Sequence, residues 1–259
     1  MNSNKVILNA KNISITFGAL KAVTDFNLQI KENELVGLIG PNGAGKTTVF
    51  NILTGVYSPT SGEYQFNGEN ITKTPTYNLV KKGLARTFQN IRLFKYLSVL
   101  DNVLVANNFN MKYGILSGIF RFPSYWREEK KAKEKAMELL KIFDLDGYAN
   151  TAAGNLPYGK QRKLEIARAM ATNPKLLLLD EPAAGMNPTE TEELMNTIRL
   201  IRDRFNIAIL LIEHDMKLVL GICERLVVLD HGNIIASGKP VNVINDPAVI
   251  TAYLGQEEE

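Results

Sequence analysis

The sequence predicts an α/β fold, and three observations carry that prediction. Strand-like apolar runs and helical stretches alternate from Lys175 to Ile222, the mark of a parallel sheet. An earlier run, Glu34–Ile39, passes directly into Gly40-Pro41-Asn42-Gly43-Ala44-Gly45-Lys46-Thr47, which fits the template G-x-x-x-x-G-K-[ST]. A third run, Leu176–Leu179, ends in Asp180, at the carboxyl end of a buried strand where open α/β sheets place ligands.

The remaining elements follow in order. Lys5–Ala10, Ile13–Phe17 and Val23–Ile30 alternate or carry β-branched residues and read as short strands. The apolar run from Thr48 to Leu53 opens a helix. Ser58–Gly62 is a turn into the strand Glu63–Phe66, and Leu84–Phe88 is a further strand. From Ser98 to Thr172 the pattern becomes helical. Arg127–Phe143 spaces Ala132, Ala136, Leu139, Leu140 and Phe143 at helical intervals. Asn107–Tyr125 reads as a loop-rich insertion. Asn187-Pro188-Thr189-Glu190 has the form of an N-cap, a proline at the first helical position and a capping-box glutamate. The helix after it is expected to bury Leu194, Ile198, Ile201 and Phe205. Leu226–Leu229, a turn at Asp230–Asn233 and Ile234–Ala236 predict a hairpin, with helices around Val241 and Ala248. His231 is a turn residue in this reading.

Composition narrows the function. The 259 residues are 45% hydrophobic and 22% charged, ordinary for a globular chain that forms one large domain or two lobes. A net charge of +3 is too small to argue for nucleic acid. Cys223 is the single cysteine, which excludes an intrachain disulfide and a Cys-based metal cluster. The N-terminus lacks a signal-peptide apolar region, and Ile207–Ile212 is far shorter than the roughly 20 residues that span a bilayer. These features predict a soluble, intracellular protein whose link to a membrane, if any, runs through a partner.

The chemistry concentrates at two strand ends. A strand feeding a glycine-rich loop into a helix aims backbone N–H groups and the positive helix end at bound phosphate. Gly43 and Gly45 allow close backbone approach, Lys46 can pair with the β- and γ-phosphates, and the Thr47 hydroxyl can ligate Mg²⁺. Asp180 can hold that Mg²⁺ through its hydration shell, and Glu181 can polarise the water that attacks the γ-phosphate.

Taken with Gln89, Leu156–Arg162, Asp180-Glu181-Pro182 and His214 in this order, the chain resembles an ATP-binding subunit of an ABC transporter over nearly its whole length. Arg86–Gln89, Leu164–Arg168, Asp180–Pro188, Ile212–Met216, the insertion around Phe120–Ser124 and Ala252–Gly255 resemble the LivG subfamily, the ATPases of branched-chain amino acid importers. The resemblance implies a P-loop NTPase cassette: a RecA-like α/β core and an antiparallel β lobe from 1–97 and 173–259, and a helical subdomain at 98–172. It implies nucleotide contacts from Phe17, Gly40, Pro41, Asn42, Gly43, Ala44, Gly45, Lys46, Thr47 and Thr48. Phe17 would stack on adenine, with a core aromatic as its alternative. It implies catalytic roles for Glu181, His214 and Gln89, with Thr47, Gln89 and Asp180 around Mg²⁺. His214 follows a strand and would stabilise charge on the γ-phosphate.

The resemblance also makes Leu156, Pro157, Tyr158, Gly159 and Lys160 the signature that completes the ATP site of a partner cassette. Here the chain departs from the family's usual Leu-Ser-Gly-Gly-Gln: Pro157 replaces the serine and Lys160 the glutamine. Implied partners are two transmembrane permease subunits, a second cassette that is usually a different chain, and indirectly a solute-binding protein, with no nucleic acid. The implied site of action is the cytoplasmic face of the inner membrane. Alternatives are a urea-import or lipopolysaccharide-export ATPase and a soluble scaffold ATPase of the iron–sulfur assembly type. The absence of long heptad arms argues against a DNA-repair or chromosome ATPase, and a single cassette argues against a two-cassette translation factor.

Overall fold

A computed structural model describes residues 5–107 and 123–254. Two sheets organise it. β1 (Val6–Phe17), β2 (Leu20–Lys31), β4 (Ser61–Phe66) and β5 (Glu69–Asn70) form an antiparallel sheet in the order β2-β1-β4-β5. The other sheet has the order β10-β9-β3-β8-β7-β6. It is built from β3 (Leu35–Ile39), β6 (Leu84–Arg86), β7 (Leu176–Asp180), β8 (Ala208–Ile212), β9 (Arg225–Asp230) and β10 (Asn233–Gly238). Its pairs are parallel except β9–β10, a hairpin turned at His231 and Gly232, both at positive φ.

All five residues of β3, β7 and β8 are buried, because both faces of this sheet are covered. Side chains alternate across a strand, so each strand feeds two cores. Leu176, Leu178, Leu210 and Ile212 join the core beneath the antiparallel sheet and α1 (Lys46–Leu53). Leu177, Leu179, Ile209 and Leu211 join a second core made with helices. Those helices are α3 (Val99–Asn107), α4 (Pro123–Ile142), α5 (Tyr158–Met170), α6 (Pro188–Phe205) and α7 (Met216–Ile222). A short α2 (Thr76–Lys82) precedes β6, and α8 (Pro240–Val243) and α9 (Pro247–Leu254) follow the hairpin.

Several sequence-based boundaries are corrected. The two expected strands Lys5–Ala10 and Ile13–Phe17 are one strand, with a shift of register between Ala10 and Ile13 and a left-handed Asn12 (φ 50°) that absorbs the extra residues. The strand expected over Leu84–Phe88 ends at Arg86, because the chain leaves the sheet edge for the loop carrying Gln89. The helix expected from Arg127 already begins at Pro123, where proline's fixed φ suits the first helical turn. Phe205 is 41% exposed while Leu194, Ile198 and Ile201 are fully buried. It is the last residue of α6, and Asn206 in the left-handed conformation turns the chain away at that point. Most of the expected insertion, including Phe120–Phe122, lies outside the described residues, as does Gly255.

Candidate nucleotide site

The sheet order is what assembles the site. β3, β8, β7 and β6 lie side by side and parallel. Their carboxyl ends therefore present, in sequence, the 40–47 loop, Glu213-His214, Asp180-Glu181, and the chain from Arg86 to Gln89.

The loop from β3 enters α1 through Gly45, its N-cap (φ 102°). Gly40 is at φ 147°, and a Cβ there would lie 2.0 Å from the Leu229 carbonyl oxygen, so only glycine fits. The first four N–H groups of a helix have no intrahelical partner and are free to meet an anion. The Lys46 ammonium is buried and donates to the carbonyls of Gly40 and Pro41, each at 2.7 Å. Burial lowers its pKa, and the charges of Glu181 and Asp180 oppose that shift. Thr47 is exposed at the first turn. At the end of α9, the Tyr253 phenol comes near the Gly40 backbone. Partial burial of that phenol raises its pKa, and the Gly40 backbone opposes the shift without cancelling it.

Two residues from neighbouring strand ends meet at the carboxylate of Glu181. Gln89 Nε2 donates to Glu181 Oε2 at 2.8 Å, and His214 Nε2 lies 2.9 Å from Glu181 Oε1. Glu181 itself adopts φ 47°, rare for a non-glycine residue and typical of strain held at functional positions. Its N–H donates to the Ile212 carbonyl, which fixes the turn.

Asp180 is buried and pairs with Arg86, whose Nη2 lies 2.7 Å from Oδ2. Arg86 was not assigned a role from sequence. A charged residue closing the short apolar strand Leu84-Ala85-Arg86 was the available signal. Glu213 was also missed. It is buried, accepts from the N–H groups of Ala183 (2.7 Å) and His214 (3.1 Å), and so ties the turn after Glu181 to His214.

Phe17, at the end of β1, is 44% exposed, which removes the core-aromatic reading. It packs edge-on against Tyr57, another residue not singled out from sequence, with ring centroids 5.3 Å apart. The pair is an open aromatic platform.

Leu156, Pro157, Tyr158, Gly159 and Lys160 stand apart from this cluster, at the start of α5. Pro157 is the N-cap and supplies no side-chain bond to the helix. Gly159 is buried against α6: a Cβ there would lie 2.6 Å from Glu190 Oε1. The Lys160 ammonium sits 4.8 Å from the centroid of the Tyr148 ring. From within α5, the buried Arg162 donates to the carbonyls of Phe88 (3.0 Å) and Gln89, so the helix and the Gln89 loop are joined. The capping box expected at Asn187 and Glu190 is formed, with both reciprocal bonds near 3 Å. His231 is a turn residue, its side chain 93% exposed.

A phosphate loop facing a buried aspartate, with a glutamate, histidine and glutamine at one point, defines a P-loop nucleotide hydrolase. The model of the ABC transporter family matches residues 23–184, and that of the branched-chain amino acid ATP-binding cassette transporter matches residues 233–259. The chain is 47% identical over 253 residues to the high-affinity branched-chain amino acid transport ATP-binding protein BraF of Pseudomonas aeruginosa, covering 98% of this chain and 99% of that protein. It is 47% identical over 250 residues to LivG of Escherichia coli K12, covering 96% and 98%. The crystal structure of the ADP conformation of MJ1267, an ATP-binding cassette of an ABC transporter, superposes with a TM-score of 0.85 at 32% identity, covering 97% of this chain and all of the other.

This chain belongs to the ABC transporter ATP-binding family. It is a nucleotide-binding ATPase cassette coupled to transport, and its family works beside membrane permeases. No described helix is long and apolar enough to cross a membrane.

Proposed function

We propose that this chain hydrolyses Mg-ATP to power an importer of branched-chain amino acids. The observation that carries the hydrolytic reading is the convergence of Gln89 and His214 on the two oxygens of Glu181, beside the phosphate loop. Support for the substrate comes from the names of the relatives and of the family matched at 233–259. The cassette binds ATP and the permease rather than the amino acid.

In this reading the 40–48 backbone and Lys46 cradle the phosphates, with Lys46 turning from the carbonyls of Gly40 and Pro41 to phosphate oxygens. Phe17 and Tyr57 offer an apolar face to the base, and stacking on it is indifferent to base hydroxyls. Thr47 and Asp180 are hard oxygen donors and fit Mg²⁺, as does the Gln89 amide oxygen. The metal would supply charge neutralisation on the phosphates. Glu181 accepts the proton of the attacking water as its oxygen bonds to the γ-phosphorus. The bond from that phosphorus to the bridging oxygen breaks, leaving ADP and phosphate. His214 holds Glu181 and can donate to γ-phosphate oxygen as charge builds. Gln89, on a loop gripped by Arg162, senses whether that site is filled.

Two cassettes pack head to tail, so that Leu156–Lys160 of one faces the nucleotide of the other. The second is a different chain, and two transmembrane subunits bind both at the cytoplasmic face of the cell membrane, fed by a solute-binding protein. Copurification from mild-detergent membranes of the native host tests this. Two multispanning subunits and a second cassette are expected. Recovery of soluble partners alone would overturn the transport reading in favour of a scaffold ATPase.

A further inference from the structure

Arg86 is fixed more firmly than an ordinary ion-pair partner. Nη2 contacts Asp180 Oδ2 at 2.7 Å, with the two side chains 9% and 4% exposed. Nη1 donates to Asn51 Oδ1 at 2.7 Å and lies 3.3 Å from Thr54 Oγ1, which ties it to α1 just beyond the phosphate loop. The guanidinium carbon lies 5.6 Å from the Phe50 ring centroid and 5.1 Å from that of Phe88. Its Nε is buried with no hydrogen-bond partner. The next residue, Thr87, accepts the Asp180 backbone N–H through Oγ1 at 3.3 Å, so the end of β6 clips Asp180 by both main chain and side chain.

A guanidinium does not lose its proton in a protein, so this positive charge is permanent. It stands at contact distance from the carboxylate assigned above to the metal, in a water-poor setting where screening is weak. A bare divalent cation approaching Asp180 meets that charge, and the charge of Lys46, which interacts with that of Asp180, adds to it. A cation carrying nucleotide phosphates arrives with its own charge offset and is drawn by the phosphate loop. We propose that Arg86 is the protein's own counter-ion for Asp180 and keeps free metal off the site, so that metal enters together with nucleotide. The inference rests on the reading of Asp180 as the metal carboxylate.

Manganese binding without nucleotide, followed by electron paramagnetic resonance, tests it. Arg86→Met retains an unbranched side chain near the Phe50 and Phe88 rings and removes the charge, while Arg86→Lys keeps the charge. Arg86→Met is expected to bind Mn²⁺ alone at least about tenfold more tightly than wild type, and Arg86→Lys to stay within about twofold. Adding Asp180→Asn to Arg86→Met should erase the gain. Equal Mn²⁺ affinity in Arg86→Met and wild type would overturn the inference.

Asp180→Asn alone separates the two claims. If it leaves the affinity for Mg-ADP unchanged, the metal assignment falls and the counter-ion idea falls with it. If it weakens Mg-ADP while Arg86→Met gains nothing, only the counter-ion role is lost. Should Arg86→Met fail to fold, ¹⁵N-arginine spectra of the wild type decide. The Arg86 guanidinium signal should move with Mg-ADP and stay in place with ADP in chelator, and identical spectra would overturn the proposal.

Discussion

Glu181 and Glu213 show how one pair of carboxylates takes two different tasks from its surroundings. Glu181 reaches the site from a left-handed backbone and holds both Gln89 and His214 by its side chain. Glu213 lies behind it and points inward to main-chain N–H groups. Burial pushes the Glu213 carboxyl above its ordinary value of 4.5, the N–H groups of Ala183, His214 and Asp215 pull it down, and the Glu181 charge raises it again. The net direction is upward. A carboxyl with a raised native pKa holds its proton better folded than unfolded. Its contribution to stability is therefore full below the unfolded value and is lost as pH rises through the native one. Glu213→Gln removes that dependence. The melting temperature of wild type minus that of Glu213→Gln should fall as pH is raised upward from 4.5. A difference that stays flat across calorimetric scans in that range would show that Glu213 does not titrate in this way.

Among the elements, α5 carries the departure from the family signature. Its N-terminus faces outward through Tyr158, 45% exposed, with Pro157 in a position where serine would accept an N–H of the first turn. Proline keeps the extended entry to the helix but supplies neither a hydroxyl nor an N–H. Pro157→Ser should thus add a cap of about 0.5–2 kcal/mol and tighten the ATP-dependent association with a second cassette. Sedimentation with and without ATP reads the second effect. Unchanged association and turnover would mean that Pro157 does not weaken the composite site. The same helix, through Arg162, holds the main chain of Phe88 and Gln89, so a tilt of α5 moves the Gln89 loop with it.

At the scale of the molecule, the six-stranded sheet is the frame. It is buried on one face by the antiparallel sheet and α1 and on the other by helices, which leaves its carboxyl edge as the open side of the strands. Glu181, His214 and Gln89, the groups proposed for catalysis, leave from that edge, while Leu156–Lys160 leave from the helical side. The head-to-tail pair proposed above would join what one chain keeps apart. Glu181→Gln should retain ATP binding, lose turnover by at least about 100-fold, and remain associated with the second cassette in ATP. Phosphate release and light scattering measure the two effects. Hydrolysis at the wild-type rate would remove Glu181 as the base.

The sequence by itself determined the chemistry-bearing segments. Glycine spacing, Lys46-Thr47, the apolar run into Asp180-Glu181 and the capping signals at Asn187 and Glu190 are local features, set by backbone sterics and by short-range hydrogen bonding, and each is found where it was read. Tertiary structure decided which groups meet. Arg86 and Asp180 are 94 residues apart, Gln89 and Glu181 are 92 apart, and their contacts depend on β6 lying beside β7. Burial of Glu213 and exposure of Phe17 and Phe205 likewise follow from how the layers close, not from the residue types. Local patterns record what a segment can form. Strand order, which is fixed by the packing of two cores against one sheet, settles which strand ends become neighbours.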